Sequence, residues 1–342
     1  MSEKMSREIH LKRRPLDLPR EGDLELVAVP IPQPGEGEML VRNIYMSVDP
    51  YMRGRMRDGP SYVPPFRLDH PLDGGCVGQV VRSNGGTFQA GDYVLGRRGW
   101  REYFVSGGSD LTRIDPSIAP IQAYLGALGM PGLTAYVGLL DIGRPQAGNT
   151  VFVSAAAGAV GSVACQIAKI QGCRVVGSAG SDDKVRWLLD RAGVDAAFNY
   201  KTVDGLGAQL ARDCPDGIDV YFDNVGGAHL DAALEQMNPF GHLVLCGMIA
   251  QYNAAEPPPG PRNLFKAVAK RLLLKGFIVS DHADRQPAFQ ADMARWVAEG
   301  RITWQETVVE GIERAPQAFL GLFSGDNVGK MLVKIGPDPA VG

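Results

Sequence analysis

The chain has no paired-cysteine motif. Its five cysteines, Cys76, Cys165, Cys173, Cys214 and Cys246, are scattered, without Cys-x-x-Cys spacing. That excludes a disulfide framework or a zinc ribbon, and the five read as reduced thiols of a cytoplasmic protein. Its five histidines, His10, His70, His229, His242 and His282, show no ligand spacing. No segment approaches the roughly 20 apolar residues of a membrane span. The charged stretch through Arg20 lacks the apolar core of a signal peptide. Positive charge is not in excess: the net charge is −3 and no long basic run occurs, so nucleic acid and anionic membrane surfaces are not expected as partners.

What is present suits a soluble globular protein. The 342 residues are 45% hydrophobic and 21% charged, enough for two domains with sizeable cores. The first 125 residues read as β-rich, with short strands expected at Leu24–Pro30, Glu38–Tyr45, Gly78–Arg82, Asp92–Gly96 and Trp100–Val105. Between them Ser47–Met56 is not strand-like, and a long Pro/Gly-rich loop runs from Asp58 to Gly75. Ala123–Leu140 reads as helical, placing a domain boundary near 125–130. From Asn149 strands and helices alternate. Strands are expected at Thr150–Ser154, Arg174–Ser178, Ala196–Asn199, Asp219–Asp223, His242–Gly247 and Leu274–Val279. Helices are expected at Gly158–Gln171, Asp182–Ala192, Gly205–Asp213, His229–Met237 and Arg262–Arg271. This alternation predicts an α/β fold, a doubly wound parallel sheet with helices on both faces. A further helix is expected at Asp284–Gly300. The tail, with a strand near Thr307–Val309, a helix at Arg314–Phe323 and a strand at Lys330–Ile335, is expected to rejoin the N-terminal domain.

The stretch Val151-Phe152-Val153-Ser154-Ala155-Ala156-Ala157-Gly158-Ala159-Val160-Gly161 passes from an apolar β-branched run through glycines into a helical pattern. Ala156-x-Gly158-x-x-Gly161 is a dinucleotide-binding fingerprint with alanine in its first place. Gly158 would let the backbone approach a pyrophosphate, and Gly161 would let the helix pack closely on its strand. The exposed N–H groups at the helix start, with Ala159 and Val160 between the glycines, would hold the phosphates.

An NAD-binding unit places an acid about 20 residues beyond the glycines, on the ribose hydroxyls. Here that place reads Val176-Gly177-Ser178-Ala179-Gly180-Ser181, with Lys184 shortly after. A hydroxyl and a cation suit a 2′-phosphate, which an acid would repel, so NADP is favoured over NAD. The competing reading makes Lys184 a solvated residue of the next helix, with Asp182 and Asp183 at its N-terminus.

Several motifs now point the same way: Val48-Asp49-Pro50-Tyr51-Met52-Arg53, Met130-Pro131-Gly132-Leu133-Thr134-Ala135-Tyr136 and the glycine turn itself. With them stand Phe198-Asn199-Tyr200-Lys201, Asp223-Asn224-Val225-Gly226-Gly227, Cys246-Gly247-Met248-Ile249-Ala250-Gln251-Tyr252-Asn253 and Gly325-Asp326-Asn327-Val328-Gly329-Lys330. Through them the chain resembles, almost end to end, the zinc-independent medium-chain dehydrogenase/reductases. The branch is that of leukotriene B4 12-hydroxydehydrogenase/prostaglandin reductase, plant alkenal double-bond reductases and bacterial curcumin reductases. The resemblance implies a GroES-like substrate domain, residues 1–127 completed by 307–342, and a Rossmann NADP-binding domain, residues 128–306, with the cofactor in the cleft. It implies Met130 and Thr134 near the nicotinamide and Gly158–Gly161 on the pyrophosphate. Lys184 and Tyr200, with Ser178 a weaker candidate, would take the 2′-phosphate end. Asn224 would meet the ribose region. Cys246, Gly247 and Tyr252, with Phe277 and Val279, would line the nicotinamide half, and Asn327 would reach back from the tail. A homodimer is expected from the resemblance alone. Zinc-dependent relatives carry Gly-His-Glu and a four-cysteine lobe. Here the comparable stretch is Gly74-Gly75-Cys76-Val77-Gly78 and no cysteine cluster exists, so no metal is expected.

The implied reaction is NADPH-dependent reduction of the C=C bond of an enal or enone, a small-molecule substrate. As hydride reaches the β-carbon, charge collects on the carbonyl oxygen, and without zinc a hydrogen-bond donor must meet it. Tyr252, expected just past the fifth strand, is the first candidate, since a phenol with an ordinary pKa of about 10 stays protonated at neutral pH. Tyr51 is the second. Each has a plainer reading, Tyr252 as a pocket wall and Tyr51 as a packed anchor of its loop. Cys246 reads as a small strand residue rather than a nucleophile. Two other functions stay open: a quinone oxidoreductase on the same scaffold and a non-catalytic NADPH-binding protein.

Overall fold

A computed structural model describes residues 4–339. Residues 1–3 and 340–342, which the expected substrate domain includes, lie outside the described residues. The chain divides into two compact units, the first running to Leu125 and resuming with Glu306–Asn327 and from Met331 on, the second holding Gly126–Gln305 and Val328–Lys330. Those three tail residues correct the expectation that the whole tail belongs to the first domain.

The first unit opens with β1 (Met5–Leu11), a strand missed in the sequence, paired antiparallel with β2 (Leu24–Pro30). There follow β3 (Met39–Ser47), a one-turn helix α1 (Met52–Arg55), β4 (Cys76–Ser83), β5 (Tyr93–Gly96), β6 (Tyr103–Ser106) and β7 (Thr112–Ile114). The core gathers Ile9, Leu11, Met39, Val41 and Met46, inward residues of short strands, with Val48 and Trp100 from the connections between them. The long loop after α1 is not loose along its length. Arg55 stacks 3.9 Å over the Phe66 ring, donates from Nε to the Pro64 carbonyl at 2.9 Å and pairs with Asp73. The loop is therefore stapled at Pro64, Phe66 and Asp73.

In the second unit the helix expected over Ala123–Leu140 is interrupted. A 3-10 turn covers Ile121–Leu125 at the end of the first unit, α2 takes Met130–Tyr136, and the helix widens into a π-helical turn over Val137–Gly143. Then come β8 (Thr150–Val153), α3 (Gly161–Ile170), β9 (Arg174–Ala179), α4 (Asp182–Asp190), β10 (Ala196–Asn199), α5 (Leu206–Asp213), β11 (Ile218–Asp223), α6 (Gly227–Gln236), β12 (Met237–Leu245), α7 (Lys266–Ala269), β13 (Leu273–Gly276) and α8 (Gln286–Ala298). The six strands form one parallel sheet in the order β10-β9-β8-β11-β12-β13. Phe152, Val176 and Tyr221 face one layer, Val151, Val153, Val175 and Phe222 the other, so these strands are apolar on both sides, as in a doubly wound fold. The order reverses between β8 and β11, and ligands of such sheets bind at that switch, outside the carboxyl ends of the strands.

The helix expected at Arg262–Arg271 shrinks to the four residues of α7. Leu264, Phe265 and Val268, the large apolar residues of that stretch, are exposed. The tail supplies β14 (Glu306–Glu310), α9 (Ala315–Ser324) and β15 (Lys330–Lys334), completing a sheet ordered β14-β15-β3-β4-β5-β7, with β6 on β3. Among the described residues no helix is long and apolar enough to cross a membrane, and no three His, Cys, Asp or Glu side chains are grouped to hold a metal ion.

Candidate active site

The glycine turn leaves β8 at the switch point. Ala155 adopts a left-handed conformation, φ +48°, which costs a non-glycine residue roughly 1 kcal/mol. The strain therefore sits one residue before the fingerprint's first place. Ala156 is fully buried, and a Cβ on Gly177 would come within 2.8 Å of its own; one small residue on each element lets the turn lie against β9. Gly161 is needed for packing: a Cβ there would lie 2.4 Å from the Ala155 carbonyl oxygen and 2.9 Å from the Ala156 Cα. Gly158 differs, since a Cβ would meet only the Ala155 oxygen, at 3.1 Å, and otherwise fill open space. Gly158, Ala159 and Val160 are half-buried, so the turn faces solvent. Behind it the Gly329 N–H donates to the Ala157 carbonyl at 2.8 Å, with Gly329 bridging Gly158. This tail strap is absent from the sequence reading, which singled out Asn327 two residues earlier.

Across the switch, β11 ends in a buried polar knot. Asp223 Oδ1 accepts from the Tyr221 hydroxyl (2.6 Å), the Ser154 hydroxyl (3.1 Å) and the N–H groups of Val225 (2.9 Å) and Gly226 (2.8 Å). Burial pushes the Asp223 carboxyl up, against the pull of those donors, and raises Tyr221 as well. Asn224 donates its side-chain amide to the Ser154 carbonyl at 2.8 Å and its N–H to the Ser154 hydroxyl at 2.9 Å. Its amide N–H thus ties β8 to β11. Ser154 and Asp223 escaped the sequence reading; the one signal was an acid ending an apolar strand just before Asn-Val-Gly-Gly.

The next carboxyl ends carry the nicotinamide-side candidates. Cys246 and Gly247 both donate their N–H to the Asp223 carbonyl, at 2.9 and 3.0 Å. Burial, with Asp223 adding, pushes the Cys246 thiol up to about 12, so it stays a thiol at neutral pH. Tyr252 follows a 3-10 turn, Ile249–Gln251, and folds back over its own loop. Its hydroxyl oxygen accepts from the Met248 N–H at 3.2 Å and would lie 3.0 Å from a Cβ on Gly247. Phe277 and Val279 fall beyond the end of β13, since that strand stops at Gly276 rather than Val279. Phe277 packs where a Gly138 Cβ would be, 2.9 Å away. On α2 the Met130 side chain is exposed, and the Thr134 hydroxyl donates to the Met130 carbonyl at 2.8 Å.

At the end of β9 the acids that troubled an NADP reading are both engaged. Asp182 accepts from the Asn199 side chain at 2.8 Å, and Asp183 pairs with Arg186 at 2.8 Å. Ser181 caps α4, its hydroxyl accepting from the Lys184 N–H. Tyr200 is partly exposed, meets His229 edge-on at 5.0 Å, and holds its hydroxyl 3.3 Å from where a Gly180 Cβ would stand. His229 is buried and held neutral, its pKa pushed down to about 4 by desolvation. In the first unit, Tyr51 packs against the core ahead of α1, and burial raises its hydroxyl above the ordinary range, with Asp49 adding. Arg53, fully buried, donates to the carbonyls of Pro15 (3.2 Å) and Asp17 (2.7 Å). Asn327 lies in the tail after α9.

Two family models match the chain, one described as the N-terminal domain of oxidoreductase over residues 7–114, the other as zinc-binding dehydrogenase over residues 159–299. An NADPH-dependent curcumin reductase of Escherichia coli is 44% identical over 333 residues, 96% of this chain and 96% of that one. The chain is a medium-chain dehydrogenase/reductase. Within that superfamily it belongs to the prostaglandin reductase, alkenal reductase and curcumin reductase branch. An NADP(+)-dependent 2-alkenal reductase of Nicotiana tabacum is 43% identical over 343 residues, 98% of this chain and 99% of its own length. The crystal structure of CurA from Vibrio vulnificus in complex with NADPH matches with a TM-score of 0.92 at 44% identity, covering 97% of this chain and all of that one.

As a medium-chain dehydrogenase/reductase the chain has a nucleotide site to test against its own atoms. The turn fits: it is open at Gly158 and closed at Gly161. The β9 end suits a 2′-phosphate in its open Gly180 with the Tyr200 hydroxyl beside it, while Asp183 is paired with Arg186 and Asp182 is held by the neutral Asn199 amide. Ser178 does not fit. It is 0% exposed, its hydroxyl sealed from solvent without a hydrogen-bond partner, and a phosphate cannot reach it in this conformation. Strand alternation explains this, since Gly177 faces Ala156 and Leu188, turning Ser178 to the opposite, packed side.

Proposed function

We propose that the protein is an NADPH-dependent reductase of the carbon–carbon double bond of α,β-unsaturated aldehydes and ketones. The observation that carries this reading is Tyr252 at the carboxyl edge of the sheet that bears the glycine turn, in a chain 44% identical from end to end to a curcumin reductase. Bound NADPH would supply the hydride. Gly158–Gly161 would hold the pyrophosphate, and Lys184 and Tyr200 the 2′-phosphate. The Tyr252 O–H would donate to the carbonyl oxygen as charge collects there, and the Met248 N–H on its oxygen makes it a stronger donor. Tyr51 is the second candidate to face substrate, and Asn327 a candidate cofactor contact. Five unpaired cysteines support a reducing, cytoplasmic setting.

The test follows NADPH absorbance with a panel of enals, enones and quinones, with product analysis. Enals and enones should be turned over to saturated carbonyl compounds. Turnover of quinones alone would overturn the reading, and turnover of nothing would make this a binding protein.

We further infer a homodimer. β13 is one of the two edge strands of the parallel sheet, and on or near it in the chain Leu273, Phe240, Phe265 (68% exposed) and Val268 (81% exposed) are exposed apolar side chains. An unprotected edge of this kind pairs with another strand, and an identical edge satisfies both copies across a two-fold axis. Light scattering should give twice the chain mass, and Val268→Glu should shift it toward the monomer. A monomeric wild type refutes the inference.

A further inference from the structure

The turn after β10 places a second cation beside the β9 end. Asn199 fixes it: its side-chain amide donates to Asp182 at 2.8 Å, while its side-chain oxygen accepts from the Lys201 N–H at 3.1 Å. The Tyr200 N–H donates to the Ala179 carbonyl at 3.0 Å, locking this turn to the last residue of β9, just before Gly180. Lys201 then lays its stem over Gly180, its Cε 3.4 Å from where a Cβ would stand, beside the Tyr200 hydroxyl at 3.3 Å. Among the described residues the Lys201 ammonium has neither an ion pair nor a hydrogen bond, and the residue is exposed.

From this placement we infer that Lys201 is a specificity-determining residue that meets the 2′-phosphate together with Lys184 and Tyr200. The inference rests on the NADPH reading above. A phosphate over Gly180 would meet the Tyr200 hydroxyl and a cation whose main chain is already held. Gly180 itself leaves the gap, since a Cβ there would crowd the Tyr200 hydroxyl and come into contact with the Lys201 stem. Asn199 does two things at once: its amide holds the Asp182 side chain and its oxygen fixes the Lys201 main chain. The same Asn-Tyr-Lys run in sequence shows a tyrosine and a charge side by side, but not that both turn over one glycine.

The test compares Lys201→Met, which keeps the stem and removes the charge, with Lys201→Arg and wild type. The readouts are kcat and KM for NADPH and NADH with one enone, and inhibition by 2′,5′-ADP against 5′-AMP. With one phosphate contact at an exposed site worth about 1 kcal/mol, Lys201→Met should raise the NADPH KM about fivefold and leave kcat unchanged. The NADPH/NADH ratio of kcat/KM should fall in step, and 2′,5′-ADP should weaken while 5′-AMP does not. Lys201→Arg should retain the wild-type ratio. An unchanged ratio in Lys201→Met, or equal losses for both cofactors and both nucleotides, overturns the role of Lys201 alone. A wild type that uses NADH as well as NADPH overturns the cofactor reading, and this inference with it.

Discussion

Replacing Tyr252 by phenylalanine is expected to lower kcat for enone reduction about a hundredfold, the scale of losing one donor from an oxyanion site. The ring stays and only the hydroxyl goes, so the pocket keeps its shape. Two effects must be separated. The hydroxyl oxygen accepts from the Met248 N–H at 3.2 Å, and removing it leaves that donor unpaired, at a cost of roughly 1 kcal/mol in stability. That loss would appear as a small fall in melting temperature, with no preference among substrates. The donor role predicts a preference. A carbonyl oxygen that gathers charge only in the transition state needs the O–H, so kcat should fall more than KM rises. Reduction of a quinone, with no dedicated proton donor required, should fall much less. Enone and quinone rates that drop together, or an enone rate that does not drop, would make Tyr252 a wall of the pocket.

The parallel sheet was legible because its strands are apolar on both faces and lie between helical segments with clear boundaries. Phe152 and Val153, Tyr221 and Phe222, Leu243 and Val244 are runs that only a doubly covered sheet accommodates. The reading failed where an apolar pattern had another cause. The helical pattern over Arg262–Arg271 held for only the four residues of α7, with Leu264, Phe265 and Val268 exposed, and periodicity does not say what lies opposite. Ser178 failed for a related reason. It stands at the right distance from the glycines, but spacing along a strand does not fix the face, and Gly177 takes the side toward Ala156. The Asp58–Gly75 loop showed no support in the sequence because its staple is a single arginine, Arg55, of the preceding one-turn helix. Arg55 reaches Phe66 and Asp73 across chain separations that a sequence pattern does not connect. The polar knot of Ser154, Tyr221 and Asp223 joins residues about 70 positions apart, and its purpose is visible only where β8 and β11 lie side by side.

The two glycines of the turn should separate cofactor binding from folding. Gly161→Ala places a Cβ 2.4 Å from the Ala155 oxygen and 2.9 Å from the Ala156 Cα. Both are backbone atoms, and Ala155 already holds a left-handed conformation, so the turn has little slack to yield. The cost should reach at least about 2 kcal/mol, the middle of the range for overpacking a closed site. Thermal stability should fall by several degrees, and NADPH affinity should fall with it because the turn moves as a whole. Gly158→Ala differs, since its Cβ meets one atom at 3.1 Å and otherwise enters open space. Its melting temperature should stay near wild type, while NADPH binding weakens at least about tenfold, because the methyl group stands where the pyrophosphate would approach the backbone. Calorimetry of NADPH binding beside thermal melts reads both quantities. If Gly158→Ala binds NADPH as wild type does, the phosphates do not lie over this turn. If Gly161→Ala melts like wild type, the turn is more yielding than its contacts with Ala155 and Ala156 imply, and the strand–helix junction tolerates a wider approach.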